Sequence, residues 1–105
     1  MKNGHFVTGT VTGTAAAINV ELGFTPSRVE IINETDPGMF IWTDSMADGE
    51  MQKTVGAGTT TFESSGGISA YAGVAGSASA GFTIGTDSDM NGSSDVLHYT
   101  AWGRP

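Results

Sequence analysis

The chain has 105 residues, enough for one domain around one core, and no cysteine, which excludes disulfides and thiolate metal sites. Eleven acidic residues against four basic ones give a net charge of −7. The basic residues Lys2, Arg28, Lys53 and Arg104 are scattered, so no cationic patch is offered to nucleic-acid phosphates or to an anionic membrane surface.

Sixteen glycines, three prolines and many Thr and Ser residues suit a β protein with tight turns. Charged residues make up only 14%, and clear alternation of apolar and polar residues argues for a folded chain. The N-terminal stretch MKNGHFVTGT lacks the apolar core of a signal peptide, and no run approaches the roughly 20 apolar residues of a membrane span. The expectation is a chain made in the cytoplasm.

In chain order, Phe6 to Thr12 alternates, with Val7 and Val11 on one face and Thr8, Thr10 and Thr12 on the other. Ala16, Ile18, Val20, Leu22 and Phe24 then predict a strand that ends at Pro26. Arg28 to Asn33 predicts a third strand, with Val29 and Ile31 inward and Ile32 breaking the pattern. After the turn chemistry of Pro37-Gly38 comes Met39 to Thr43, apolar on both faces, which predicts a hairpin with its predecessor. Asp44 to Gln52 reads as a loop or one helical turn. Lys53 to Val55 and Thr59 to Glu63 read as short strands, with a turn over Ser64 to Gly67. Ile68, Ala70, Ala72 and Val74 keep a period of two within a small-residue segment. The stretch from Gly81 to Trp102 reads as two strand arms joined by a long polar loop, a hairpin with its turn at Asn91-Gly92. Its second arm, Val96 to Trp102, is apolar on both faces, so it is either covered twice or meets another chain. The sum is an all-β fold. It is a single-domain β-sandwich or barrel over residues 1–105, with about eight short, mainly antiparallel strands.

No catalytic constellation stands out. The two histidines, His5 and His98, lie near opposite ends, and there is no G-x-S-x-G elbow. Asp87, Asp89, Asn91 and Gly92 match the opening of a calcium loop, but the twelfth position holds His98 in place of Glu. The alternative is a solvated hairpin loop, in which Asp87→Asn with Asp95→Asn leaves the fold intact. No metal and no cofactor are therefore expected. Trp42, Tyr71, Tyr99 and Trp102 could serve a sugar-binding module or, as strand aromatics often do, a core or a subunit interface. The sequons at Asn33 and Asn91 carry little meaning without a secretory route.

Four segments together, ELGFTPSRVEIINETD, MFIWTDSMADGEMQKTVGAGTTT, GGISAYAG and SASAGFTIGTDSDMNGSSDVLHYTAWG, resemble small virion proteins of tailed bacteriophages. These are Gly- and Thr-rich, cysteine-free β proteins, often capsid decoration (cement) proteins. LGFTPSRV and GFTIGTD are the most specific parts, and Tyr99-Thr100-Ala101-Trp102 fits the usual ending. The resemblance implies a β fold, a virion location and a homo-oligomer, expected to be a trimer. The expected partner is the major capsid protein, with no nucleic acid and no membrane involved. The expected location is the capsid surface, after synthesis in the host cytoplasm. The alternative is a tail or tail-fibre domain that recognises a host-surface glycan. The residues expected at the interface are Ile32, Phe40, Trp42, Tyr99 and Trp102. In MFIWT the Phe40/Trp42 face is taken as the spare one, joined by Ile32.

Overall fold

The computed structural model describes residues 6–103 and contains no helix among them. Eight strands form one sheet: β1 Phe6–Thr12, β2 Ile18–Glu21, β3 Arg28–Asn33, β4 Gly38–Thr43, β5 Glu50–Val55, β6 Thr60–Tyr71, β7 Gly81–Ile84 and β8 Val96–Trp102. The order across the sheet is β1-β8-β3-β4-β5-β6-β7-β2, and every pairing is antiparallel. The middle is a meander, β3 to β7. The chain ends are added outside it, β8 and β1 on one flank and β2 on the other.

The sheet curls into a half-barrel. Phe82 on β7 and Tyr99 on β8, five strands apart in the sheet order, meet edge to face with centroids 5.3 Å apart. The concave face holds the core. Val29 and Ile31 of β3 lie opposite Trp42 and Phe40 of β4, and opposite Ala101 and Tyr99 of β8. Met51, Ile68, Phe82, Ile84, Leu97 and Val20 complete it. Period-two alternation places successive side chains on opposite faces, so each strand turns one alternate set of residues to this core.

Several boundaries depart from the sequence reading. The strand expected over Ala16 to Phe24 shrinks to Ile18–Glu21, bounded by positive φ at Ala15 and Gly23. The turn expected at Ser64 to Gly67 lies inside the long β6 instead. Glu50 pairs with Ile68 and Met51 with Glu63, so residues 64–67 bulge out of the ladder. Gly66 supplies the left-handed conformation that this bulge needs, at φ 75°. The expected strand through Ala72 and Val74 stops at Tyr71. There the Ser79 hydroxyl accepts a bond from the Val74 amide and organises a loop.

The largest correction concerns Gly81 to Trp102. The two arms are strands, but they do not pair with each other. β7 lies between β6 and β2, and β8 between β3 and β1. The connection over residues 85–95 is therefore a crossover from one flank of the sheet to the other. Met90 and Asn91 at its centre are fully buried, so it is not a solvated hairpin loop.

Candidate functional site

The crossover gathers most of the polar side chains that sequence reading had marked. Lys53 sits on β5 opposite Phe40, a core residue, so its register points it to the concave side. Its ammonium lies 3.0 Å from Asp87 Oδ2 and 2.7 Å from Asp89 Oδ2. The Lys53 and Asp87 side chains are only 14% and 11% exposed. Burial by itself lowers the pKa of this ammonium. Hydrogen bonds to Asp89 and Asp87, with their negative charges, more than reverse that and raise it above its ordinary 10.5.

This arrangement explains the calcium-like pattern in another way. Asp87 also accepts the amide of Asp89 at 2.9 Å, which closes the turn. Asn91 points away from the carboxylates, into the connection between β1 and β2. There its Oδ1 accepts the Thr14 amide at 2.9 Å and its Nδ2 donates to the Ala16 carbonyl, while Nδ2 also donates to the carbonyl of Gly85 at the start of the crossover. The oxygens thus diverge, and a lysine stands where the two aspartates converge. No group of three or more acidic or histidine side chains placed to hold a metal occurs among the described residues. Asp95 is engaged too, since its Oδ2 accepts a bond of 2.9 Å from Asn33 Nδ2. Asn33 in turn donates to the Asp89 and Met90 carbonyls, and its Oδ1 accepts the amides of Thr35 and Asp36.

The expectation that Asp87 and Asp95 are exposed loop carboxylates is therefore overturned: both are partly buried and hydrogen-bonded. Lys53→Met should lower stability by about 2 kcal/mol. That is less than the roughly 3–5 kcal/mol for stranding one charge of a fully buried pair, because Asp89 is partly exposed and water reaches it. The ammonium's raised pKa sets the sign of the pH dependence. Its contribution is complete below the ordinary 10.5 and fades only as pH rises through the higher folded-state value. Urea melts of wild type and Lys53→Met should accordingly differ by the same amount at pH 7 and pH 9. A difference near zero at both would show that the ion pair contributes nothing.

The convex face is the second place where marked residues collect. Ile32 on β3 lies opposite Met39 on β4, and both are substantially exposed, at 46% and 41%. On the neighbouring row Ile41 is half-buried between Glu30 and Gln52. At the far end of the same face the Trp102 ring meets Phe6 at 5.7 Å, and the Arg28 guanidinium lies 5.5 Å over it. His98 and Glu34 pair on this side at 2.7 Å.

The five residues expected at an interface therefore divide. Ile32 and Trp102 lie on the convex face. Phe40 and Trp42 are core residues, at 0% and 2% exposure, and leave a partner nothing to touch. Tyr99 also points inward, packing on the core against Phe82. The outward face of MFIWT is that of Met39 and Ile41, contrary to expectation, and the segment alone does not distinguish the two because it is apolar on both sides. The choice was made by β3, whose Val29 and Ile31 sit beside Trp42 and Phe40. Burial of Trp42 also removes it as a platform for a sugar. Sequence reading missed Met39 as a surface residue and Lys53, Asn33 and Asn91 as interior ones. Lys53 alone had a local signal, since it alternates with Met51 and Val55. Both sequon asparagines are buried, at 1% and 0% exposure.

No family model, curated protein or solved structure matches the chain.

Proposed function

We propose that the chain is a structural protein of a tailed-phage virion, a capsid decoration protein. On this reading it binds the outside of the major-capsid lattice as a homo-oligomer and stabilises the head. The sequence resemblance supplies the family. The single structural observation in its favour is the exposed Ile32–Met39 pair, flanked by Ile41, on the convex face of a sheet whose other face already encloses a full core. A soluble domain that leaves large aliphatic side chains side by side on a broad face has an attachment surface there. The mechanism is passive: area buried across several capsid subunits adds binding free energy to the assembled shell.

The test uses particles of the phage that encodes the chain. Hundreds of copies per particle, with earlier loss of heat resistance when the gene is deleted, are the expected result. A handful of copies would favour the tail or tail-fibre reading, and absence from purified particles would overturn both. On capsids, Ile32→Thr with Met39→Thr, which removes the apolar area without setting like charges opposite each other, should weaken binding by at least about tenfold, in keeping with loss of a central apolar contact, while the free protein melts nearly as before.

A further inference from the structure

We propose that β1 is the contact of a symmetric homodimer, in which two copies pair antiparallel through their free β1 edges with Gly9 opposite the partner's Gly9. Among the described residues β1 is an outermost strand of the sheet, bonded only to β8. An exposed edge presents unpaired backbone donors and acceptors, and proteins blunt such edges with charge, proline, bulges or shortness. The opposite edge, β2, is blunted: it is four residues long and carries the exposed Glu21. β1 has none of these devices. It is seven residues long, FVTGTVT, without a charge or proline, and its register with β8 runs unbroken from Phe6 to Thr12.

The strand is also self-complementary. Its sequence reads nearly the same in both directions about Gly9, with Thr8 and Thr10 on either side, then Val7 and Val11. A two-fold axis at Gly9 places Val7 opposite the partner's Val11 and Thr8 opposite the partner's Thr10, each twice. Like β-branched residues across an antiparallel ladder are favourable pairs, and isologous contacts need this self-matching. Shifting the register by two residues sets Val against Gly and shortens the ladder, so this one register is preferred.

The faces agree with the pairing. Val7 and Val11 already pack against the core but remain half-buried, and a second β1 would cover their open flank. Gly9 has no Cβ because the Tyr99 hydroxyl occupies that position on the inner side. The threonines remain on the outer face, where they are exposed. Two chains of net charge −7 would thus meet along a neutral seam.

The experiment needs only the purified protein and does not depend on the virion reading. Sedimentation equilibrium, taken up to about millimolar concentration to capture a modest affinity, should give twice the chain mass of 10.7 kDa. Thr8→Lys with Thr10→Lys sets lysine against lysine at two places and should raise the dissociation constant by about tenfold or more. Thr8→Lys with Thr10→Glu sets lysine against glutamate in this register alone, and should restore the dimer. A monomeric wild type overturns the proposal, as does a trimer, or a double-lysine variant that dimerises like wild type. Amide exchange of Phe6 to Thr12 gives a check that no substitution can confound. Protection on the free edge should rise with protein concentration, and protection independent of concentration also overturns it.

Discussion

Trp42→Ala should destabilise the lone domain by about 3–5 kcal/mol, a large part of the total stability of a domain this size. Trp42 is 2% exposed and lies opposite Val29 on the core face of β4. Its truncation removes the largest side chain of the core and leaves a cavity that the close-packed neighbours and the β3–β4 ladder close only in part. It also strands the Ala47 carbonyl, which accepts the indole Nε1–H at 3.3 Å and holds the turn between β4 and β5. A urea melt measures the loss. The decisive comparison is Met39→Ala, on the other face of the same strand, which should cost less than about 1 kcal/mol because that side chain is already 41% exposed. Equal losses at the two positions would contradict the assignment of faces.

Asn91→Ala should cost about 3 kcal/mol, although asparagine in a Gly- and Ser-rich stretch looks replaceable. The side chain is fully buried and joins four backbone groups from two separated parts of the chain: the amides of Thr14 and Ala15 with the carbonyl of Ala16, and the carbonyl of Gly85. Alanine leaves those groups without partners in a closed site, where each unsatisfied group costs roughly 1–3 kcal/mol less any relief from an entering water. Asn91→Asp should be destabilising as well, since a carboxylate cannot donate to the Ala16 and Gly85 carbonyls. Ser93→Ala, exposed two residues further on, is the control and should stay within about 0.5 kcal/mol. If Asn91→Ala melts with the control, the crossover is held by its backbone, by Lys53 and by Asn33 without help from Asn91.

Both predictions fall on residues whose side-chain environment was misjudged from sequence, and the two errors share a cause. Trp42 lies in a segment apolar on both faces, and Asn91 in a segment polar throughout. Periodicity carries information only where the two faces differ. Where they do differ, in β1 and β3, the strand limits Phe6–Thr12 and Arg28–Asn33 were legible to the residue; those of β8, Val96–Trp102, were legible from its β-branched and aromatic residues, but not which of its faces turns inward. Inward placement of Val29 and Ile31 followed from the same alternation.

The amino-acid sequence by itself therefore determined the all-β class, the single core and most of the strands. Those depend on contacts between near neighbours and on the two-residue repeat of an extended backbone. Tertiary structure alone decided that β7 and β8 lie apart. It also decided that the connection between them is a buried crossover held by Lys53, Asn33 and Asn91, and that Ile32 and Met39, in place of Phe40 and Trp42, face outward. Each of these outcomes depends on which strand arrives beside which and in what register. That pairing joins residues up to 96 positions apart, Phe6 with Trp102, and no local pattern encodes it.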